Sequence, residues 1–84
     1  MADVTRDGDT FTVAAPIIAE GLDLPEHAIA RAMASGKITT QHERGEGADA
    51  GRFRLSFFYK NKVLRLTVDE TGHILSRARF ERRI

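Results

Sequence analysis

Residues 52–68 read RFRLSFFYKNKVLRLTV. Phe53, Leu55, Phe57 and Tyr59 alternate with Arg54, Ser56, Phe58 and Lys60. Beyond Asn61-Lys62, Leu64, Leu66 and Val68 alternate with Val63, Arg65 and Thr67. A period of two in aromatic, aliphatic and β-branched residues predicts two half-buried antiparallel strands. Asn tolerates positive φ, which favours a two-residue turn at Asn61-Lys62. That register sets Tyr59 opposite Leu64, Phe57 opposite Leu66 and Leu55 opposite Val68. On the other side it pairs Phe58 with Arg65, Ser56 with Thr67 and Arg54 with Asp69, the first a cation–π contact and the last an opposite-charge pair. A turn at Lys60-Asn61 keeps the same faces and pairs Phe58 with Val63. A one-residue slip is disfavoured, because it would carry Leu64 and Leu66 to the arginine side.

Downstream, Asp69-Glu70-Thr71-Gly72 fits a three-residue turn with Gly72 in the left-handed position. A last strand is expected over His73–Phe80, with Ile74, Ala78 and Phe80 toward the core and Leu75, Arg77 and Arg79 on the opposite face. Glu81–Ile84 reads as a frayed tail. Upstream, Gly45–Gly51 (GEGADAG) reads as a flexible loop. Lys37–Arg44 (KITTQHER) reads as an edge strand, kept from aggregating by polar and charged side chains. Two helices precede it. Ala15–Glu20 has Pro16 at a first helical position, Gly21 as its stop, and Ile17, Ile18 and Leu22 as its buried side. Pro25–Ser35 begins behind Asp23 and Glu26, a capping-box spacing with Asp for Ser or Thr. Its apolar stripe is Leu24, Ala28, Ala32, Ile29 and Met33, and Gly36 is the stop. Near the N-terminus, Asp7-Gly8 marks a hairpin-type turn, which predicts a small hairpin or one strand at Phe11–Val13, the hairpin letting Val4 meet Phe11 or Val13.

The predicted fold is therefore α+β: two short N-terminal helices packed on one face of a three- to four-stranded antiparallel β-meander, one domain over residues 1–84. The inner face is Phe53, Leu55, Phe57, Tyr59, Leu64, Leu66, Val68, Ile74 and Ala78, and the helices are the available cover. The outer face is Arg52, Arg54, Phe58, Val63, Arg65, Leu75, Arg77 and Arg79, with Thr67 between. Five arginines around three exposed apolar residues exceed what solubility requires. Arg is frequent at interface cores, and it stacks on rings and bases and grips phosphates. Aromatic and basic residues interleaved on a sheet also build some single-stranded RNA readers. The face is thus a candidate surface for a protein partner or a second copy of the chain, with nucleic acid as the alternative.

Composition bounds the rest. The chain has 84 residues, 42% hydrophobic and 30% charged, with net charge +1. That is ordinary for a folded domain with one modest core. The charge is unevenly placed: residues 1–51 hold four basic against nine acidic side chains, and residues 52–84 hold nine against three. Such a split implies a polarised surface. There is no cysteine, hence no disulfide or thiolate ligand. No apolar run resembles a secretory leader or a membrane-spanning helix, so a cytoplasmic location is expected.

Motifs for chemistry are not found. His27, His42 and His73 fall on different expected elements without ligand spacing, so no metal is expected. Gly45, Gly47 and Gly51 form neither a P-loop nor a dinucleotide fingerprint, and Glu46 and Asp49 would repel phosphate. Ser35, Ser56 and Ser76 sit in no nucleophile motif. The expectation is a non-enzymatic protein without a cofactor.

Two resemblances add to this reading. Thr12-Val13, Ile18-Ala19-Glu20, Leu22, Leu24, Ile29, Arg31 and Ser35-Gly36-Lys37-Ile38 resemble the opening of excisionase-like, winged helix-turn-helix DNA-binding domains over about a third of the chain. That likeness implies a reading helix at Pro25–Ser35 and a wing bearing Arg52. It departs from the pattern where the helix opens Pro25-Glu26-His27. Across most of residues 11–75, the runs IAEGLDL, AMASGKIT, ERGEGADAGRFRLSFF and LRLTVDETGHIL are similar to a small uncharacterised bacterial family, mostly proteobacterial, of about this length. That likeness implies a domain of unknown function from a bacterial cytoplasm.

Overall fold

The computed structural model describes residues 3–8 and 10–82. Its element order is β1 (Val4–Asp7), β2 (Thr10–Val13), α1 (Ala15–Leu22), a 3-10 turn (Glu26–Ala28), α2 (Ile29–Ala34), β3 (Ile38–Arg44), a 3-10 turn (Gly47–Asp49), β4 (Arg52–Tyr59), β5 (Lys62–Asp69) and β6 (Ile74–Glu81). Strands β3 to β6 form one antiparallel sheet in sequence order, and β1 and β2 pair separately as a hairpin with Val4 opposite Val13. The α+β two-layer fold expected from the alternation is the one observed, with four strands in the meander. The molecule is 19 Å across its thinnest axis. Two layers of secondary structure account for that thickness.

Period two in β4 and β5 produces the expected one-sided sheet. Leu55, Leu64, Leu66 and Val68 lose essentially all contact with water, and Phe57 is buried with them. Ile17, Ile18, Ala19 and Leu22 of α1 and Ile29 and Ala32 of α2 complete the same cluster. The β1–β2 hairpin covers one end of this face. Phe11 packs on Phe53 with ring centroids 4.9 Å apart, and the guanidiniums of Arg6 and Arg44 lie 4.9 and 5.7 Å from the Phe53 ring.

The register differs from the preferred one by two residues. Tyr59 pairs with Lys62, Phe57 with Leu64, Leu55 with Leu66 and Phe53 with Val68. The turn is Lys60-Asn61, with Lys60 at φ 53. Moving the turn one residue toward β4 gives Phe53 an apolar partner and lets Arg52 meet Asp69, so the pairing extends over the whole of both strands. The cost of one left-handed lysine is small beside that burial. Arg82 fastens the turn, donating from Nε and Nη2 to the Lys60 carbonyl at 3.3 and 3.2 Å and from its backbone to the Asn61 carbonyl. The expected frayed tail is therefore strand to Glu81 and anchored at Arg82; residues 83 and 84 lie outside the described residues.

Three helix expectations are corrected. Gly21 lies inside α1 instead of stopping it, and Asp23, at φ 58, closes the helix, with Leu24 N–H donating to the Ala19 carbonyl. Asp23 is thus the end of α1 and forms no capping box for α2, whose first turn is 3-10. A Cβ on Gly21 would stand 2.5 Å from Leu64 Cδ2, so glycine is present for close helix–sheet approach. Gly36 does stop α2, at φ 79, with Lys37 N–H donating to Ala32.

The largest correction concerns β6. Thr67 pairs with Ser76 but Val68 with Ile74, so Leu75 is an extra residue and the strand carries a β-bulge. A bulge inverts the alternation beyond it. Arg77 then faces the same way as Leu66, and Arg79 the same way as Leu64, while Ala78 and Phe80 turn outward. Ile74 keeps its expected inward position. Arg79 has a structural role there: its Nε donates to the Gly21 carbonyl at 3.2 Å, a cation at the negative end of α1.

The turn before β6 is organised by Asp69. Its Oδ1 accepts from the Thr71 hydroxyl at 2.6 Å and from the Thr71 and His73 backbone N–H groups at 2.9 Å each. These bonds, the Thr71 hydroxyl first, hold the Asp69 carboxyl below its ordinary pKa. Gly72 follows at φ 89, as expected, with no room for a Cβ beside the Val4 carbonyl.

This packing sets three expected outcomes. Phe57→Ala or Leu66→Ala should lower unfolding free energy by about 2–5 kcal/mol in urea titrations. Gly21→Ala should destabilise by about 1–3 kcal/mol from overpacking, offset in part by helix propensity, and Leu64→Val in the same chain should restore part of the loss. Because the Asp69 carboxyl is depressed on folding, its contribution is complete above the unfolded carboxylate pKa and disappears as pH falls through the folded value. The stability gap between the native chain and Asp69→Asn should accordingly be widest near neutral pH and close in acid, read from urea midpoints across pH.

Candidate interaction face

The strand pairings lay out the two sides of the meander as a grid. On the helix side the rows from β3 to β6 are Ile38–Tyr59–Lys62–Glu81, Thr40–Phe57–Leu64–Arg79, His42–Leu55–Leu66–Arg77 and Arg44–Phe53–Val68–Ile74. Beyond Ile74 the β6 column is charged, with Arg77, Arg79 and Glu81 all exposed, and inward-pointing charge protects a sheet edge.

The opposite side has three rows: Thr39–Phe58–Val63–Phe80, Gln41–Ser56–Arg65–Ala78 and Glu43–Arg54–Thr67–Ser76. Both helices and the β1–β2 hairpin lie on the helix side, so no described element covers these rows. Two residues are nevertheless dry: Val63 and Ser56 are each 1% exposed. Their neighbours shield them. Phe58 and Phe80 flank Val63, the Arg82 guanidinium lies 4.7 Å from the Phe58 centroid, and the Arg65 guanidinium lies 5.0 Å from that of Phe80. Arg65 Nε also donates to Ser56 Oγ at 3.3 Å. The result is a surface of two rings, each topped by a planar cation.

Of the eight residues expected on this face, Arg52, Arg54, Phe58, Val63 and Arg65 are there. Arg52 sits at its end, opposite Asp69 and 3.8 Å from Asp49. Arg54 has no hydrogen bond or ion pair among the described residues and stands beside Glu43 across the strands. Val63 faces the right way but is buried. Leu75, 46% exposed, sits at the bulge, beside the open cleft formed with Asp3, His73 and Arg77. Arg77 and Arg79 belong to the helix side, as described above. Sequence reasoning missed Phe80, 40% exposed, with Ala78, Ser76 and Arg82. A bulge leaves no mark in the alternation Arg77-Ala78-Arg79-Phe80, which reads equally well in either parity.

At the loop end the third row borders a shallow hollow of about 310 Å3, lined in part by Arg52, Arg54, Thr67 and Ser76 and by the carboxylates of Glu43 and Asp49. The helix pair is a poorer candidate surface. It offers Arg31 and Lys37 against Glu20, Asp23 and Glu26, and α2 spans only six residues, with Ile29 and Ala32 turned into the core. Helices and meander stack as a simple two-layer arrangement.

No group of three or more His, Asp or Glu side chains is placed to hold a metal ion among the described residues, and no helix there is long and apolar enough to cross a membrane. His42 stands edge-on to Phe11, 6.3 Å between centroids.

Neither the curated proteins nor the solved structures contain a match to this chain. One family model does match, over residues 1–83, and the chain belongs to that family, DUF6522, a family of unknown function.

Proposed function

We propose that the chain is a non-enzymatic interaction domain that takes an anionic partner on the uncovered side of its four-stranded sheet. The observation that carries this reading is the charge of that side. Arg54 and Arg65 lie in its three rows and Arg82 stands over one of them, against Glu43 within the rows, while Arg52 at the end is offset by Asp49 and Asp69. Rings and guanidiniums already stacked on one another lose little further freedom on binding, which lowers the entropic cost of an interface. Arginine and aromatic residues are also the types that dominate interface energetics. A second copy of the chain is a poorer occupant. Two such faces apposed about a two-fold axis bring like charge against like charge, and Phe58, Val63 and Phe80 supply only a small apolar centre.

Salt-dependent retention on immobilised heparin tests this reading. The native chain should be retained at low ionic strength and released as salt rises, and Arg54→Glu should elute earlier. Arg31→Glu, on the helix side, should elute with the native chain apart from its change in net charge. Equal effects of the two substitutions, or no retention at low salt, would remove the proposal. Light scattering checks the second-copy alternative: a stable dimer that Phe58→Asp dissociates would favour self-association over an anionic partner.

A further inference from the structure

We infer that the anionic partner is a single-stranded nucleic acid, bound with bases stacked on the Phe58–Arg82 and Phe80–Arg65 pairs. This rests on the reading of the uncovered sheet side as an anion-binding face. It goes further by using the rings, which an acidic polypeptide would not require.

The two pairs have the geometry of stacking platforms. Phe58 and Phe80 lie directly on either side of Val63 in one row, two strand spacings apart, or roughly 10 Å. Each ring carries a guanidinium within 5.0 Å of its centroid. A guanidinium over a ring adds a planar, cationic surface on which a base can stack, and each is held in place by its bonds, Arg82 Nε and Nη2 to the Lys60 carbonyl and Arg65 Nε to Ser56 Oγ. Because Val63 and Ser56 are sealed beneath, the platforms rest on a dry floor and do not collapse into it.

The remaining rows supply what a strand of nucleotides needs beside stacking. Arg54 is uncommitted among the described residues, and it stands next to the Thr67 hydroxyl, with Ser76 one strand further on. A guanidinium and two hydroxyls on this open row suit a phosphate, or a phosphate and the adjoining sugar hydroxyl. The adjoining hollow is lined by Glu43 and Asp49 as well, so the anion is placed on the row and not in the hollow. Gln41, exposed in the middle row, offers both a donor and an acceptor to a base edge. A duplex is not favoured by this face. It is a sheet surface with no helix or ribbon projecting from it to enter a groove.

The test is fluorescence anisotropy of a labelled short mixed-sequence RNA strand, its DNA counterpart and labelled poly-glutamate of equal charge, all at low salt. The native chain should bind the single strands more tightly than poly-glutamate. Phe80→Leu, which keeps an apolar side chain but removes the ring plane, should weaken oligonucleotide binding by roughly five- to a hundredfold and leave poly-glutamate binding unchanged. Arg54→Ala should weaken both and flatten the salt dependence, by roughly 0.7 in the logarithmic slope for each phosphate that is no longer neutralised. Circular dichroism of each variant confirms folding. If Phe80→Leu unfolds, Phe58→Leu takes its place with the same expectation. Equal binding of poly-glutamate and oligonucleotide, or indifference of oligonucleotide binding to removal of the ring, would overturn the nucleic-acid inference while leaving the anionic-partner reading standing. Absence of binding to all three polyanions would overturn both.

Discussion

Everything in this domain depends on one side of the β4–β5 hairpin being kept from water. Leu55, Leu64, Leu66 and Val68 sit in the middle of the sheet, and α1 is drawn so close to them that Gly21 has no space for a methyl group beside Leu64. That approach settles where the second layer lies. The β1–β2 hairpin fills the end that the short helices do not reach, with Phe11 on Phe53. Once three elements crowd onto one side, the other side has nothing left to cover it among the described residues. The three elements outside the meander are short, and all of them are used on the helix side.

The arginines illustrate how a compositional excess divides into separate physical roles. Arg79 donates to the terminal turn of α1, and Arg6 and Arg44 lie against the Phe53 ring. Arg65 and Arg82 stack on Phe80 and Phe58 on the open side, and Arg82 also clamps the β4–β5 turn. Arg52 meets acids at the sheet's end. Arg54 is the one in the three open rows without such a commitment. A basic C-terminal half is thus no single patch: part holds the fold together, part roofs Val63 and Ser56, and a smaller part is presented outward. The functional proposal is correspondingly narrower than a count of guanidiniums would allow, and the nucleic-acid inference built on it rests on ring–cation pairs of defined position.

The sequence by itself determined the architecture. Strict alternation over residues 52–68 assigns each side chain of β4 and β5 to a face, whichever of the two turns closes the hairpin, because moving the paired register by two residues preserves parity. Lys37–Arg44 is polar at every position but Ile38, which suits an edge strand, and Gly36 and Gly72 mark backbone positions at positive φ. These features are local, and their physical causes act over a few residues. Only the tertiary structure decided the rest. The turn falls at Lys60-Asn61 because pairing the whole length of two strands outweighs the preference of one Asn. Gly21 is a point of close approach and not a terminus because of Leu64, which lies far along the chain on β5. The bulge at Leu75 sends Arg77 and Arg79 to the helix side and brings Phe80 outward, since an inserted residue reverses every face after it and is set by the geometry of the strand next door, which no residue of β6 encodes alone.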